Sequence, residues 1–441
     1  MSDTVNPFKQ LPENTRIIFA TLIILAGIVY YFSNPVPQNY YDYTFRVADN
    51  ILRGSIAIKE KPPSWLNEFV PFEGDYYSVF PLGSVVSMAP FAVVKLAGFI
   101  KEMPAPLIAA LQASGICLFL LLISLRYEIS TAKRILMILG MLFGTWTWTN
   151  LTMGGAWQLA LGFAMLGELG AIYYTVYDRK PWLAGLFFAL GFGNRTEVLL
   201  TAPVFMFLLL KPALFVAGEP KKQKKKHKKA KQTEAATDLQ PEMQFRFSKE
   251  AVLSNWKVIA SFCIVPFILG VTTLVYNYIR FHSFTDFGYA RIPGVLKEPW
   301  YNHGIFSLYY IPRQAVEMLW KPWEVLSKFP YLKPNGFSSS ILWSSPFLLL
   351  LLRSGWADKI LKYVSWAAIA ILTLLLWMHG NSGGWQFGYR YAMVLLPWIF
   401  VILLETGPKK ITPLEWAAYI FSFAANIFAT WLFHWSGYMK M

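Results

Sequence analysis

Long apolar runs, each close to the thickness of a lipid bilayer, constrain this chain more than any other feature of its sequence. A helix needs about 20 apolar residues to cross the hydrocarbon layer. Because hydrocarbon offers no water to unpaired backbone groups, such runs are expected to be helical. Of the 441 residues 55% are hydrophobic and 17% aromatic, more than is usual in a soluble domain. We therefore predict an all-α polytopic membrane protein with about 11 transmembrane helices, within a range of about 10–13. The predicted spans are 16–33, 105–126, 134–150, 157–177, 181–194, 198–216, 252–277, 338–352, 359–378, 391–406 and 412–432.

The net charge of +15 is concentrated in one segment of the chain. Eight lysines lie between Lys221 and Lys231, and a like-charge block of this kind is typical of a disordered, solvated loop. Membrane proteins keep such loops on the cytoplasmic side, where they can also contact anionic lipid. Nucleic-acid binding would need interleaved aromatic residues or a folded module, and the block has neither.

A cytoplasmic lysine block sets the orientation of every other segment and places the N-terminus in the cytoplasm. The predicted parts are a cytoplasmic N-terminus (1–15), an N-terminal transmembrane module (16–216) with a juxtamembrane outer loop (34–104), a lysine-rich disordered cytoplasmic loop (217–250), and a C-terminal transmembrane module (251–441) with an outer loop (278–337). Segment 79–100 is apolar but carries two prolines and a lysine. We expect it to be surface-lying or re-entrant, and the sequence leaves open whether it crosses.

The same orientation places short basic connectors on the cytoplasmic side, as the positive-inside rule requires. It places the polar, aromatic-rich loops on the outer face, where binding and catalytic groups are expected to collect. The basic connector residues are Arg126, Lys133, Arg134, Arg179, Lys180, Arg353, Lys359, Lys362, Lys409 and Lys410.

The first outer loop begins with an amphipathic helix that ends at Gly54. Asp42 stands at its start and is our first candidate for a general base, because a base on a membrane-anchored helix could reach a substrate hydroxyl. The alternative is that Asp42 with Arg46, and Asp49 with Arg53, are i,i+4 ion pairs that only support an exposed helix. The apolar positions of the helix are Tyr41, Phe45, Ala48 and Leu52.

Three arginines are expected near the outer boundary: Arg195, Arg280 and Arg390. Together they would form a phosphate-binding site, because a guanidinium group matches the oxygens of phosphate. Singly, each is more often an interface arginine that reaches to water. Glu197 could also neutralise Arg195 locally.

Other ionisable residues give weaker indications of a functional site. Glu168 lies mid-span and is either a proton relay or a protonated carboxyl bonded to a neighbouring helix. No spacing among the histidines suggests a metal site, so no cofactor is predicted and a divalent metal lacks support. The sequence also has no recognised nucleotide-binding loop. The histidines considered are His282, His303, His379 and His434.

Taken in order, five outer-face motifs resemble the GT-C glycosyltransferases, a superfamily of multi-span membrane enzymes. The likeness covers about 16–406 and is nearest to bacterial relatives of the protein O-mannosyltransferase and aminoarabinose-transferase group, family 39. The motifs are NYYDYTFRVADNILRG, LNE with GDYYSVFPLGSVVSMAPF, GFGNRTEVLLTAP, YNYIRF with FGY, and GGWQFGYRY.

The resemblance implies a catalytic aspartate in the first outer loop, here Asp42, and a polyprenyl-phosphate-linked sugar donor. It also implies phosphate contact for Arg195 and Arg390. Relatives commonly carry an acidic residue or histidine in the turn where this chain has Asn150 and Gln158, which puts metal use and acceptor identity in doubt. His282 stands where relatives often have glycine.

The sequence and the resemblance together predict a membrane glycosyltransferase of a bacterial inner membrane. It would transfer a sugar on the outer face by an inverting single displacement, with a lipid, glycan or protein as acceptor. The rival hypotheses are a transporter or flippase for a glycolipid or anionic substrate, and a non-catalytic membrane subunit. Alternative bases are Asp49, Glu68 and Asp75. Candidate substrate-lining residues are Tyr76, Tyr77, Trp385, Tyr389 and Tyr391.

Overall fold

A computed structural model describes residue 8 and residues 11–217, 243–245 and 249–439. The described chain is mostly helical, with three short two-stranded hairpins. Seven of its helical segments are long and apolar enough to cross a membrane, or eight if a pair bent by 46° counts as one span. The predicted all-α class of membrane protein is therefore supported in this coarse form. The lysine block falls outside the described residues.

The helices follow one another along the whole described chain. They are α1 (Glu13–Phe32), α2 (Tyr43–Leu52), α3 (Leu82–Leu96), α4 (Ala105–Ser124), α5 (Thr131–Phe143), α6 (Thr147–Met153), α7 (Ala156–Ile172), α8 (Pro181–Asn194), α9 (Ala202–Leu214), α10 (Lys249–Ser254), α11 (Trp256–Phe281), α12 (Ile311–Leu319), α13 (Ile341–Ser344), α14 (Lys359–Met378), α15 (Leu396–Thr406) and α16 (Pro413–His434). The strands are β1 (Phe69–Phe72), β2 (Asp75–Ser78), β3 (Phe215–Ala217), β4 (Met243–Phe245), β5 (Glu324–Val325) and β6 (Leu332–Lys333).

Helical structure occupies every one of the predicted spans. The span at 134–150 is the bent pair α5 and α6, and three others form shorter or broken helices. The span at 181–194 is the 14-residue α8, the span at 338–352 is α13 followed by a 3₁₀ turn, and the span at 391–406 is a 3₁₀ turn followed by α15. None of these three meets the length and hydropathy expected of a membrane span. The count of about 11 spans stays a prediction.

The connectors with basic residues meet at one end of the helix bundle, which we call the basic end. Glu415, at the start of α16, accepts from Lys133 at 2.8 Å and from Arg353 at 2.7 Å. Lys409 pairs with Glu128 at 2.6 Å. These pairs join the loops before α5, before α14 and before α16, so the connectors predicted to share one side are neighbours in space.

The opposite end, which we call the site end, carries the first loop and the loops after α11 and α14. Helix α3 stays there, because its first turn contacts the end of α8 through Ser84 and Asn194 (3.4 Å) and its last turn reaches α2 through Lys95 and Asp49 (2.8 Å). With 15 residues, α3 is shorter than the helices of bilayer length, and the expectation that it lies on the surface or is re-entrant stays a prediction.

Helix α3 crosses α8 at two glycines, Gly83 and Gly193. A Cβ atom on Gly83 would lie 2.3 Å from the Gly193 Cα, far inside van der Waals contact. Small residues allow helix backbones to approach this closely when both helices are apolar. The contact fixes the position of Pro81, at the start of α3, against the end of α8.

We expect Gly83→Ala to destabilise the protein by about 1–3 kcal/mol, because the added methyl group meets backbone that has no side chain to move aside. The measurement is the melting temperature of purified protein in detergent. Gly270→Ala in α11 is the matched control, since a Cβ there meets nothing within 4 Å and alanine favours a helix. Equal melting temperatures for the two variants would contradict the close crossing.

Candidate functional site

Two adjoining cavities lie at the site end. The first, which we call the chamber, has a volume of about 350 Å³, and the second, which we call the groove, about 360 Å³. The chamber is lined by polar and aromatic groups, whereas aliphatic and aromatic side chains dominate the groove. The residues that line both are Val79, Phe80, Pro81, Trp157, Arg195, Tyr289 and Tyr391.

Glu68 is an acidic residue of the chamber that is held through both its backbone and its side chain. It directly precedes β1, and its carbonyl accepts from the backbone N–H of Val79 at 3.1 Å, which ties it to the end of the β1–β2 hairpin. The indole N–H of Trp157, in the first turn of α7, donates to its carboxylate at 2.8 Å. Burial raises the pKa of Glu68 to about 7, although the Trp157 bond and the charge of Arg390 act in the opposite direction. A carboxyl group with this pKa can accept a proton at neutral pH.

Arg195 and Arg390 both lie against the ring of Tyr391. The guanidinium carbon of Arg195 lies 4.7 Å from the centre of the Tyr391 ring, and that of Arg390 lies 5.3 Å from it. Glu197 neutralises Arg195 at 2.6 Å. No carboxylate of the described chain forms an ion pair with Arg390.

Arg390 is instead held by backbone carbonyls. Its side chain donates to the carbonyls of Gly383 at 2.7 Å and Trp385 at 3.3 Å, and Gly384 between them has φ +93°. Arg390 is 6% exposed, and its Nε is buried with no acceptor among the described residues. Glu68 is close enough for the charge of Arg390 to act on its pKa, but it forms no ion pair with it. A buried guanidinium without a direct ion pair is costly unless hydrogen-bond acceptors reach it.

Asp42, the first candidate for the base, does not line either cavity. Its carboxylate accepts three bonds from Arg46, one at 3.2 Å and two at 3.1 Å, in the i,i+4 arrangement that the sequence left open as the alternative. Burial raises the pKa of Asp42, while Arg46 opposes the shift. Its neighbour Tyr41 does line the chamber, so Asp42 lies close behind the wall.

The remaining predicted charged candidates are engaged away from the cavities. Asp49 is paired with Lys95 and Arg53, and these partners outweigh its burial and hold its pKa below the usual value. Asp75 pairs with Lys59 at 2.6 Å. Arg280 is 1% exposed and donates to the carbonyl of Ser78 and to Asn277 at 2.6 Å, so it braces the hairpin and does not join Arg195 and Arg390.

Of the five aromatic residues predicted to line the substrate site, two line a cavity and three do not. Trp385 lines the chamber, and Tyr391 lines both cavities. Tyr389 is fully buried and donates to Gln314 at 2.9 Å, in the core beneath the cavities. Tyr76 packs against the apolar core that includes Phe45 and Ala48 of α2, and Tyr77 packs against Phe281. Neither tyrosine lines a cavity.

The structure also places the glutamate and two of the histidines that were considered in the sequence. Glu168 is fully buried and accepts from Trp398 at 3.2 Å, a neighbouring-helix bond of the kind considered above. His282 has φ +55°, a left-handed conformation at the end of α11 that favours glycine. His379 lines the groove, and burial lowers its pKa to about 4, so the ring is neutral near pH 7. No group of metal-ligating side chains occurs in the part of the chain that the structure describes.

Sequence reasoning missed Trp157, Asn67, Tyr289, Glu298 and Asn381, all of which line the chamber. Each stands in an irregular loop or in the first turn of a helix, where no periodic pattern distinguishes it. The available signal was the dipeptide Asn67–Glu68, a polar pair directly before a strand of aromatic residues.

Comparison with protein-family models, curated proteins and solved structures finds no match for this chain.

The raised pKa of Glu68 predicts a pH-dependent stability. The folded state binds the proton more tightly than the unfolded state does, so this contribution is fully present below about pH 4.5 and is lost as the pH rises through about 7. Glu68→Gln mimics the protonated group. We expect its melting temperature to exceed that of the unmodified protein by a few degrees at pH about 8.5, and by less at pH about 5. Glu60→Gln, at an exposed position, should give no difference at either pH, and a pH-independent effect of Glu68→Gln would contradict the assignment.

Proposed function

We propose that this protein is a GT-C-type membrane glycosyltransferase that uses a polyprenyl-phosphate-linked sugar as donor. One observation carries the proposal: a polar chamber that holds Glu68 and Arg390 adjoins an apolar groove, and Arg195 lines both cavities. A lipid-linked sugar has the same order of parts, namely an apolar chain, a phosphate and a polar ring.

The phosphate of the donor is placed at the boundary between the two cavities. Arg195 lines both cavities, and Arg390 lines the chamber against the same Tyr391 ring. Guanidinium groups stabilise a phosphate oxygen better than a point charge does, because they donate in a plane. The first isoprene units would lie in the groove against Ile305 and Leu376.

The geometry favours Glu68 over Asp42 as the general base. Glu68 lines the chamber, and Trp157 orients it, whereas the carboxylate of Asp42 is turned to Arg46. Glu68 takes the proton of an acceptor hydroxyl, and that oxygen forms a bond to the anomeric carbon. The bond from the anomeric carbon to the phosphate oxygen breaks, and the polyprenyl phosphate leaves with the electron pair, stabilised by Arg390 and Arg195. A single displacement of this kind inverts the anomeric centre.

The membrane setting follows from the chemistry of the donor. Nucleotide sugars are confined to the cytoplasm, so an enzyme on the other face needs a sugar carried across on a lipid. We infer that the site end faces outward, that the basic end with the N-terminus faces the cytoplasm under the positive-inside rule, and that about 11 helices cross a bacterial inner membrane.

The first test measures release of polyprenyl phosphate from a panel of synthetic polyprenyl-phosphate hexoses by the purified protein, with water taking the place of the acceptor hydroxyl. We expect Glu68→Gln to lower the rate about 100-fold or more, as loss of a general base does. Asp42→Asn should lower it less, because Asp42 lies behind the wall. Loss with Asp42→Asn and full activity with Glu68→Gln would return the role of base to Asp42. Uptake into sealed vesicles without release would favour the transporter.

The pH dependence is a second test. A base with a pKa of about 7 must be deprotonated to act, so kcat/KM should rise with pH and level off above about 7. A rate that is flat between about pH 5 and 8 would contradict the role of Glu68.

Arg390→Met should lower the rate about 100–1000-fold, since it removes stabilisation of the leaving phosphate. Arg134→Met is the matched control at a buried arginine of the basic end, which donates to the carbonyls of Ser124 and Tyr127; its stability is expected to fall, while the folded fraction keeps its rate per molecule.

A further inference from the structure

A third cavity, of about 260 Å³, lies at the basic end and shares no lining residue with the chamber or the groove. It forms where three of the membrane-length segments begin or end, namely Ala156–Tyr177, Thr196–Leu214 and Lys359–Met378. Because a span of this length begins and ends near the lipid headgroups, we expect this basic-end cavity at the depth of the headgroups. Its apolar wall consists of Val176, Leu208, Pro212 and Leu361.

Two cations and one carboxylate complete the lining of the basic-end cavity. Lys211, in the last turn of α9, forms an ion pair with Asp358, the residue before α14. The side chain of Lys211 is 26% exposed and that of Asp358 is 41% exposed, so a ligand can reach both. Arg179 is also exposed, and no carboxylate of the described chain forms an ion pair with it. The lining therefore carries one positive charge in excess.

Arg179 is fixed at the cavity by carbonyl groups at the end of α9. Pro212 has no backbone N–H, so the carbonyl of Leu208 lacks the donor that a helix normally supplies four residues later. Arg179 donates to this carbonyl at 3.4 Å, to that of Leu209 at 2.5 Å and to that of Thr175 at 3.5 Å. A guanidinium group has five N–H donors, so these three bonds leave at least two for a ligand.

Two further carboxylates at the basic end do not cancel the charge of Arg179. Asp178, the residue before it, pairs with Lys180 at 2.9 Å. Glu405 accepts from the hydroxyl of Tyr127 at 2.6 Å and from backbone N–H groups before α14, and it does not line the cavity. The excess positive charge is therefore available to an anion.

We propose that the basic-end cavity binds the phosphate of an anionic membrane lipid, such as phosphatidylglycerol. Arg179 and Lys211 donate to the phosphate oxygens, as guanidinium and ammonium groups commonly do. Basic pockets between membrane helices are typical sites for such headgroups. The site does not depend on the proposed sugar transfer, because it lies at the other end of the bundle.

The cavity suits a lipid better than a soluble anion, and an anionic lipid better than a zwitterionic one. The apolar wall can take the first methylene groups of the acyl chains, which a soluble phosphate lacks. A zwitterionic headgroup brings its own ammonium group, which would lie beside the two cations Arg179 and Lys211. Like charges at such a distance repel each other.

The test measures binding of dioctanoyl phosphatidylglycerol, with a fluorophore on one acyl chain, to the purified protein in a neutral detergent. The salt concentration is about 0.15 M, where exposed charges more than about 8 Å apart are largely screened. Unlabelled phosphatidylglycerol should displace the probe, phosphatidylcholine should displace it less, and glycerol phosphate should not displace it. Displacement by glycerol phosphate would overturn the assignment to a lipid. Equal displacement by phosphatidylcholine would overturn the preference for an anionic one.

Substitutions in the Lys211–Asp358 ion pair should change the affinity in opposite directions. Lys211→Met removes a cation and should weaken binding about 5-fold, whereas Asp358→Asn removes the competing carboxylate and should strengthen it about 5-fold. Asparagine also caps a helix well, so the start of α14 should be preserved. A purely structural ion pair predicts no gain from either variant, so unchanged or weaker binding by Asp358→Asn would overturn the proposal. This result decides the matter even if Lys211→Met does not fold.

Lys409 and Glu128 provide the matched control, because they form an exposed ion pair at the same end and do not line the cavity. Lys409→Met and Glu128→Gln should leave the affinity for the probe unchanged. Changes as large as those at Lys211 and Asp358 would mean that the whole basic end attracts the lipid, and would overturn the site. An affinity that none of the four substitutions alters would place the lipid elsewhere on the protein and overturn it as well.

Discussion

The cost of burying charge in an apolar bundle governs the arrangement of this protein. At the basic end, direct ion pairs offset the loss of hydration. Lys133 and Glu415 form such a pair, and both side chains are nearly inaccessible to solvent. At the site end this loss is offset only in part, because Glu197 pairs with Arg195 while Arg390 depends on backbone carbonyls. Since buried ion pairs compensate desolvation only with good geometry, the incomplete pairing at Arg390 marks the place where a ligand charge is expected.

Contacts outside the chamber fix the positions of the loops that line it. Asn150 fastens the turn before α7 to the loop that carries Arg390, and the Gly83–Gly193 crossing fixes the start of α3. Within the chamber, the indole N–H of Trp157 on α7 donates to the carboxylate of Glu68 before β1. Preorganised groups of this kind need little rearrangement when charge develops during a reaction, which is why the chemistry is assigned to this end and not to the bundle interior.

Much of the fold could be predicted because hydrophobic length and periodicity are local properties of the chain. The apolar runs at α1, α4, α11, α14 and α16 correspond to helices of bilayer length. The site was predicted less well, since its members come from segments far apart in sequence. Arg195, Arg390, Trp385 and Tyr391 were selected for their position next to spans, and they lie together. Arg280, selected for the same reason, turns to the hairpin instead.

The sequence by itself determined the helical class, the runs long enough for a membrane and the set of polar groups available at their ends. Only the tertiary structure decided which carboxylate faces the cavities. Asp42 and Glu68 are both acidic residues of one loop, and the sequence favoured Asp42 because it stands at the start of the amphipathic helix. The packing of α7 against that loop places Trp157 beside Glu68, while the helical spacing of Asp42 and Arg46 pairs them with each other. A long-range contact competed with a local one, and pattern analysis detects only the local one.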